Sequence, residues 1–335
     1  MTPRFQPVPL VGAGKALLAD AEQWITSPPI RALITAFGGD PCRLDGPLDQ
    51  LDTRLGYAGQ FTDRWDTRQG RERNQADELE LTTEQQELIV AATDALGYRG
   101  GTRLRFTHYD HVLILGGLIR ACLSRPAHAA DLLTAGTITA DNVTALGGHR
   151  PFTGNEFDQA AAAGLPELTE EYEALDQGMR IAFDLGHPTH IDGEQSTLLG
   201  GTWGVRHYRT DDGTIRVAAA PSSDPENRRA DTPDTYAFFA ERLAPLQPQQ
   251  RLLMITTQIY VPPQHLAALT MLTIPYGVEV DTIGTPPPAP PADTPPAQSP
   301  TKYLLEIRAT IRALRSLIAT ITKSQPNPAV DTGGP

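Results

Sequence analysis

Up to about residue 105 the apolar positions recur at helical spacing, and polar, charged stretches separate them. The clearest helix begins at Thr82 or Thr83, where Gln85 or Gln86 three residues on can complete a reciprocal capping box. Shorter apolar runs with the same spacing are Ala16 to Thr26 and Ile30 to Phe37. The pattern predicts a helical N-terminal region over residues 1–105.

From about residue 106 the apolar runs become short and β-branched, and most of them end in glycine or small polar residues. Apolar runs without polar alternation are typical of strands buried on both faces of a parallel sheet. Five such runs are His111 to Leu115, Asn142 to Leu146, Arg216 to Ala220, Leu252 to Thr256 and Val278 to Ile283. The candidate helices of this region are Leu118 to Ala135, Glu167 to Leu185, Thr232 to Leu243 and Pro263 to Leu272.

This βαβ series predicts an α/β fold over residues 106–285, a Rossmann-like three-layer sandwich with a mainly parallel sheet. One hairpin interrupts the series, with strands over Trp203 to Arg209 and Thr214 to Ala220 about the turn Asp211-Asp212-Gly213.

The last part of the chain differs in pattern from both preceding regions. Residues 286–300 contain eight prolines, which predicts a semi-rigid linker. Residues 301–324 are predicted to form an amphipathic helix, because apolar positions recur with spacing 3-4-3-4-3 at Leu304, Ile307, Ile311, Leu314, Ile318 and Ile321. This helix carries five basic residues and one acidic residue. The helix is expected to dock on the body of the protein or on a second copy, and residues 325–335 are expected to be a disordered tail.

Charge and composition exclude several classes of protein. The chain has 28 Lys+Arg against 40 Asp+Glu and a net charge of −12, which argues against a nucleic-acid binder. No stretch approaches 18 uninterrupted apolar residues and no secretory signal is visible, so no membrane association is expected. The two cysteines, Cys42 and Cys122, match no disulfide framework and no zinc spacing. A cytoplasmic location is therefore expected.

Ligands of open parallel sheets bind at the carboxyl ends of the strands, so the residues that follow each strand are the candidates. Glycine pairs allow close approach of a ligand, helix N-termini attract anions, and arginines can add forked contacts. Glu156 and Asp234 are the candidate acid–base residues. The candidate ligand-binding residues are Gly116, Gly117, Arg120, Gly147, Gly148, Arg150, Arg229, Asp231, Thr232, Thr257, Gln258 and Tyr260.

The order of these motifs resembles the YdcF/SanA/ElyC-like family of α/β domains over about residues 110–284. The motifs are strand-Gly-Gly-x-x-Arg, strand-Gly-Gly with a downstream Glu, an Asp-Thr-x-Asp turn, and strand-Thr-Thr before a helix. The resemblance implies a Rossmann-like fold and a pocket at Gly116, Gly117, Gly147, Gly148, Glu156, Asp231, Thr232, Asp234 and Thr257.

The chain departs from that family after the fourth strand. Tyr260 and Pro263 stand where the family usually carries His and Arg, with Gln264 and His265 nearby. A cationic phosphate contact is then either lost or supplied by Arg120, Arg150 or Arg229. Family members are often tethered to bacterial membranes, and this chain shows no anchor.

Each candidate also has a purely structural interpretation. Glycine pairs after strands serve many tight turns, Arg120 and Arg125 can cover a helix surface, and Glu156 can be a solvated loop carboxylate. Asp231 and Thr232 form a natural helix cap. The donors at His187, His190, Asp192 and Glu194 fall in a predicted loop, so no metal site is expected there.

The leading hypothesis is an enzyme that binds a nucleotide, an adenosyl compound or another phosphorylated small molecule at the carboxyl edge of the sheet. No triad, metal cage or cysteine nucleophile selects a reaction, so transferase and hydrolase are both open and no cofactor is assigned. The alternative is a non-enzymatic ligand-binding or scaffold protein that acts through its C-terminal helix, with homo-oligomers formed through residues 301–324.

Overall fold

The computed structural model describes residues 4–12, 16–68, 76–101, 103–210, 213–285 and 298–324, and within these residues seven strands form one sheet. The chain divides into two units, Met1–Tyr98 with Pro296–Pro335 and Arg99–Pro295. Most of the predicted linker (residues 286–297), the predicted tail and the hairpin turn residues Asp211 and Asp212 lie outside the described residues.

The helices follow the predicted apolar periodicity closely. In chain order they are α1 (Leu17–Ile25), α2 (Pro28–Ala36), α3 (Leu51–Thr62), α4 (Thr83–Ala95), α5 (Ile119–Thr134), α6 (Glu156–Ala162), α7 (Glu171–Ala182), α8 (Thr232–Phe238), α9 (Val261–Ala268), α10 (Ile274–Tyr276) and α11 (Pro300–Ser324). Two predicted helices continue as π-helical turns after α8 and α9, at Phe239–Leu243 and Leu269–Thr273. The predicted capping box is confirmed, with Thr82 and Gln85 as its two members.

Five neighbouring strands of the described sheet are joined by parallel pairing. The strands are β1 (His108–Leu115), β2 (Thr139–Gly147), β3 (His190–Glu194), β4 (Trp203–Thr210), β5 (Gly213–Ala219), β6 (Arg251–Thr257) and β7 (Glu279–Thr285). Their spatial order is β3-β4-β5-β2-β1-β6-β7, and only the β3–β4 and β4–β5 pairs are antiparallel. Counted among themselves, the parallel strands have the order 3-2-1-4-5, which reverses between β1 and β6.

Helices cover both faces of the sheet. Val112 belongs to an apolar cluster that includes Cys122 of α5 and Met179 of α7. The preceding residue, His111, points to the other face, where its ring lies 5.3 Å from that of Phe239 after α8. The α/β three-layer prediction with a mainly parallel sheet is therefore confirmed.

One strand occupies a segment that was predicted to be a loop. β3 pairs antiparallel with β4 and forms one edge of the sheet, and four of its five residues are exposed. An exposed edge strand has no apolar alternation, so the sequence carried no signal for it. The predicted hairpin is confirmed, since β4 and β5 pair in antiparallel register from Gly204–Ala219 to Thr210–Gly213.

In the first unit, α11 packs against α3 and α4. Five of the six predicted seam residues are buried in this packing, namely Leu304, Ile307, Ile311, Leu314 and Ile318. The hydroxyl groups of Tyr98 and Thr310 lie 2.5 Å apart, and Arg308 donates to Asp63. The amphipathic helix is thus confirmed, but helices of the same chain cover its seam. The expectation that this seam holds a second copy loses its basis.

None of the described helices combines the length and the apolarity that a crossing of the bilayer requires.

Candidate functional site

The glycines after β1 and β2 allow the two strand ends to approach a buried carboxylate. An added Cβ at Gly116 would lie 2.3 Å from Oε1 of Glu171 and 3.1 Å from Cα of Gly147. An added Cβ at Gly147 would lie 3.0 Å from the same oxygen. These distances are shorter than ordinary van der Waals contact, so a side chain at either position would force Glu171 to shift. The structural interpretation of these glycines therefore has direct support.

Arg150 and Glu156 form a buried, forked ion pair beside these glycines. Nη1 of Arg150 lies 2.8 Å from Oε2 of Glu156, and Nη2 lies 2.9 Å from Oε1. The Glu156 side chain is 1% exposed. The interpretation of Glu156 as a solvated loop carboxylate is therefore wrong. A carboxylate is buried at this low level of exposure when a cation pairs with it, and Arg150 is that cation.

The carboxylate of Glu156 also lies at the N-terminus of α5. It accepts hydrogen bonds from the backbone N–H groups of Ile119 (3.2 Å) and Thr153 (2.9 Å). Burial raises the pKa of Glu156, but the hydrogen bonds from Arg150, Thr153 and Ile119 outweigh burial and leave the pKa below its usual value. The position at which the sequence predicts a ligand anion is thus occupied by a carboxylate of the chain itself.

Glu171 completes this cluster and was missed by the sequence analysis. Its Oε2 accepts a hydrogen bond of 2.9 Å from Nε of Arg150. Burial raises the pKa of Glu171, against the attraction of Arg150. Glu171 is the first residue of α7, and only its place near the start of a predicted helix could have drawn attention to it.

Arg125 lies between the carboxyl ends of β1 and β6, where the strand order reverses. Its Nη1 donates to the carbonyl of Leu115 (2.6 Å) and to that of Gly116, while Nε and Nη2 lie 3.2 and 3.0 Å from Oγ1 of Thr257. Arg125 is 1% exposed, so the interpretation as a helix-surface residue is wrong.

In the described part of the chain, the guanidinium of Arg125 makes no ion pair with a carboxylate, although the charge of Glu171 acts on it. Among the described residues, no Asp or Glu oxygen lies within 4.0 Å of its guanidinium nitrogens. Burial lowers the pKa of Arg125. Its guanidinium carbon lies 6.0 Å from the ring centre of Tyr260, which follows β6. Gly117, Thr257 and Tyr260 are therefore brought together around one buried cation.

The predicted ligand contact Arg120 is exposed on the first turn of α5. Within the described part of the chain it makes no hydrogen bond or ion pair. Arg120 is thus a cation for which the described part of the chain provides no partner.

The predicted ligand contact Gln258 follows Thr257 and packs closely on β7. An added Cβ at Gly284 would lie 2.4 Å from Cα of Gln258.

A second ion-pair cluster follows β5. Oδ1 of Asp234 accepts from the backbone of Ser223 (3.0 Å), Oδ2 accepts from that of Asp231 (2.9 Å), and Arg228 binds both oxygens. Asp231 and Asp234 form a capping box at the start of α8, with Thr232 as its first helical residue. Arg228 is the cation that pairs with Asp234, and Arg229, the predicted ligand contact, follows it directly in the chain.

Asp234 is held in its ionised form. Burial opposes ionisation, but the hydrogen bonds from Arg228 and the neighbouring backbone outweigh it and lower the pKa to about 2. The loop that contains this cluster approaches β2, since an added Cβ at Gly148 would lie 3.7 Å from Cβ of Ala230. The predicted residues after β2 and β5 are thus neighbours, as expected for one edge of a parallel sheet.

His149 is a further titratable residue at this edge that the sequence analysis did not select. Its Nδ1 lies 2.9 and 3.0 Å from the two carboxylate oxygens of Glu170. Its Nε2 is buried without a hydrogen-bond partner, and so is the hydroxyl of Tyr172, whose ring centre lies 5.1 Å from that of His149. A carboxylate on Nδ1 favours the tautomer in which Nε2 carries the free lone pair.

The histidine and carboxylate side chains around His190, considered above as metal ligands, bind one another. The Nε2 atoms of His190 and His207 lie 2.7 and 2.9 Å from the two oxygens of Asp192, so the ring nitrogens are used within the hairpin of β3 and β4. In the part of the chain that the structure describes, no group of three or more His, Cys, Asp or Glu side chains is arranged to hold a metal ion.

Comparison with known proteins gives one family model and a set of mycobacterial relatives. Residues 10–97 match the model of the Rv3785 N-terminal domain. The chain is 28% identical over 353 aligned positions, covering 94% of each chain, to the uncharacterized protein Rv3785 of Mycobacterium tuberculosis strain H37Rv. The uncharacterized protein Mb3814 of Mycobacterium bovis matches with the same identity and coverage. No solved structure matches the chain.

These comparisons overturn the resemblance to the YdcF/SanA/ElyC-like family. The family model that matches is that of the Rv3785 N-terminal domain, and the relatives match along 94% of the chain. The physical reason for the error is visible in the loops. Gly116 and Gly147 make room for Glu171, and Glu156 pairs with Arg150. Short glycine and acidic motifs of this kind arise from packing in α/β folds in general.

Proposed function

We propose that the unit Arg99–Pro295 binds an anionic small molecule, a nucleotide, an adenosyl compound carrying a phosphate or another phosphorylated compound, at the carboxyl edge of the sheet between β1 and β6. The proposal rests on Arg125, a buried cation at the reversal of strand order that makes no ion pair with a carboxylate among the described residues. Open parallel sheets bind ligands at this reversal point. An anion near Arg125 would recover the charge interaction that burial of the guanidinium lacks.

The β1–β6 side is favoured over the β1–β2 side because the latter is filled by the chain. Arg150 uses Nε, Nη1 and Nη2 on Glu171, Glu156 and the carbonyl of Gly117. The first backbone N–H of α5 is bound by Glu156. A phosphate on that side would have to displace a carboxylate with several partners.

An enzymatic role needs a group that accepts or releases a proton near neutral pH. Glu156 and Asp234, the predicted acid–base residues, have lowered pKa values because Arg150 and Arg228 hold them ionised. We therefore propose ligand binding at this edge without a reaction class.

The scaffold alternative has less support. It depended on an uncovered heptad seam on the C-terminal helix, and α3 and α4 of the same chain pack on α11.

The test is a thermal-shift screen of the full chain with inorganic phosphate, AMP, ATP and S-adenosylmethionine. A compound present at 100 times its dissociation constant stabilises the folded state by about 2.7 kcal/mol. That stabilisation corresponds to a rise of about 5 to 10 °C in Tm for a unit of this size. The screen is repeated with Arg120→Ala and with Arg209→Ala.

Arg209 is a charge-matched control, because it is exposed and pairs with Thr214 at the opposite edge of the sheet. The proposal predicts a shift for at least one phosphorylated compound that Arg120→Ala reduces by half or more and Arg209→Ala leaves unchanged. The absence of a shift for every compound, or an equal loss in both variants, would contradict it.

A further inference from the structure

Arg216 in the middle of β5 is a partly buried cation for which the described part of the chain provides no partner. It makes no hydrogen bond and no ion pair with any described residue, and burial lowers the pKa of its guanidinium. By contrast, Arg206 on the opposite face of the sheet is paired with Asp176 at 2.7 Å. A cation that is taken out of water is usually paired, so the isolated position of Arg216 requires an explanation.

The strand register places two further polar side chains beside Arg216. Thr144 of β2 lies directly opposite Arg216, and His111 of β1 lies opposite Asn142, two residues before Thr144. Since side chains alternate between the faces of a sheet and adjacent strands lie about 4.8 Å apart, these side chains are neighbours on one face. It is the face on which the ring of Phe239 lies 5.3 Å from that of His111. The charge of Arg216 is, accordingly, one of the causes that lower the pKa of His111.

Both of these neighbours have a buried polar atom without a partner. Thr144 is 0% exposed and His111 is 7% exposed. Among the described residues, neither Oγ1 of Thr144 nor Nδ1 of His111 has a hydrogen-bond partner. Buried polar groups in folded proteins are nearly always hydrogen-bonded. Two exceptions beside an unpaired cation indicate that their partner is a molecule outside the chain.

We propose that Arg216, Thr144 and His111 bind the carboxylate group of a small molecule on the face of the sheet that carries Phe239. The guanidinium, the hydroxyl and the N–H of the imidazole can each donate a hydrogen bond. A carboxylate only accepts hydrogen bonds, and its two oxygens match the fork of an arginine. The site uses side chains from within the strands, so it is separate from the carboxyl edge and does not depend on the function proposed there.

The local charges favour a monoanion over a phosphate dianion. Burial and the charge of Arg216 outweigh the attraction of Asp110 and Asp141 and leave the pKa of His111 below its usual value. The imidazole is therefore neutral at neutral pH, and Arg216 alone supplies the positive charge of the three proposed ligand contacts. A second negative charge on the ligand would be repelled by Asp110 and Asp141 without any gain at His111.

The side chains around this polar group are apolar. Phe239 and Leu113, which lies opposite Thr144 on β1, are both 0% exposed, and so is Ala218, two residues after Arg216. An apolar body attached to the carboxylate would match these surroundings. Benzoate is therefore a suitable probe, and benzamide is its control, because it has nearly the same shape and no charge.

The first experiment is a titration of the ¹⁵N-labelled full chain with benzoate and with benzamide, followed through the histidine ring signals by NMR. The concentration is raised to about 20 mM at constant ionic strength, and the signal of His111 is assigned by its loss in His111→Gln. We expect a saturable shift of the His111 signal with benzoate and no saturable shift with benzamide. A His111 signal that does not respond to benzoate, or that responds equally to benzamide, would overturn the proposal.

The second experiment compares three variants in the same titration. Arg216→Gln should weaken benzoate binding about tenfold or more, whereas Arg209→Gln should change it by less than about twofold. Arg209 is the matched control, because it is exposed and lies opposite Thr214 on the same face of the sheet. Thr144→Val should weaken binding about three- to tenfold without lowering Tm, because the hydroxyl that it removes has no partner among the described residues. Equal losses in the two arginine variants, or a Thr144→Val variant with a lower Tm and unchanged benzoate affinity, would contradict the proposal.

Discussion

Arg150 donates one hydrogen bond to each carboxylate oxygen of Glu156, at 2.8 and 2.9 Å, directly at the first backbone N–H of helix α5. A helix N-terminus with an adjacent arginine is the arrangement that α/β proteins use for phosphates. Here the anion is part of the chain. The Arg150–Glu156 pair therefore occupies the carboxyl ends of β1 and β2, and we expect a ligand at the carboxyl ends of β1 and β6 instead.

Breaking this pair should destabilise the protein strongly. Glu156→Gln removes one of the two carboxylates that pair with Arg150 and leaves Glu171 as its counter-charge. Because a buried ion that loses its only partner typically costs about 3 to 5 kcal/mol of unfolding free energy, we expect a loss at or below the lower end of that range. Urea unfolding followed by circular dichroism measures the loss. Glu167→Gln, at an exposed position, is the control and should change the free energy by less than about 0.5 kcal/mol.

If Glu156→Gln and Glu167→Gln unfold at the same urea concentration, the Arg150–Glu156 pair does not stabilise the fold. The assignment of Glu156 to a structural role would then fail.

The stability of the protein should fall in acid through Asp234. Its pKa is about 2 in the folded state against 3.8 for an ordinary aspartate, so the unfolded chain binds more protons between these values. The contribution is complete above about pH 4 and is lost as the pH falls toward 2. We expect the free-energy difference between the wild type and Asp234→Asn to shrink by about 2 kcal/mol over that interval. Urea titrations from pH 2 to pH 6 measure it, and a pH-independent difference would show that Asp234 has no lowered pKa.

The glycine after β1 should be required for packing, and the second glycine after β2 should not. Gly116→Ala places a Cβ 2.3 Å from Oε1 of Glu171, so the cluster must shift, at a cost of about 1 to 3 kcal/mol. Gly148→Ala meets only Cβ of Ala230 at an ordinary 3.7 Å. We expect a lower Tm for Gly116→Ala and an unchanged Tm for Gly148→Ala. Equal Tm values would mean that Glu171 is not held against Gly116.

Replacement of Arg125 should separate the ends of β1 and β6. Arg125→Met leaves the carbonyls of Leu115 and Gly116 and the hydroxyl of Thr257 without their donor. A buried group that loses its hydrogen-bond partner costs about 1 to 3 kcal/mol. Calorimetry should show a lower Tm for Arg125→Met, while Arg120→Ala, exposed and unpaired among the described residues, should keep the wild-type Tm. A wild-type Tm for Arg125→Met would show that the guanidinium does not join the strands.

The fold could be predicted from the sequence to the extent that it is encoded in apolar periodicity. The runs that became β1, β2, β5, β6 and β7 consist mostly of apolar residues, as expected for strands buried on both faces. Their positions and their parallel arrangement could therefore be predicted. β3 could not be found in the same way, because Ile191 and its neighbours are exposed.

The sequence selected candidate residues by their place along the chain, and it could not give the contacts that these residues make. Gly116 and Glu156 were selected from their place after strands, but only the distance between Gly116 and Glu171 shows why glycine is needed. For Arg125 a place on the helix surface was one interpretation, because a sequence does not show that a side chain two turns into α5 reaches back to the carbonyls of Leu115 and Gly116. Arg228 and Arg229 could not be distinguished by spacing alone.

The central claim is that a phosphorylated ligand binds between β1 and β6, and hydrogen exchange measured by mass spectrometry tests it most directly. The full chain is compared with and without saturating amounts of the panel compound that raises Tm most. We predict slower exchange in the segments 116–120 and 257–261, and no change in 139–142 or 207–210 at the opposite edge. Protection confined to other segments, or no protection with any compound of the panel, would contradict the account.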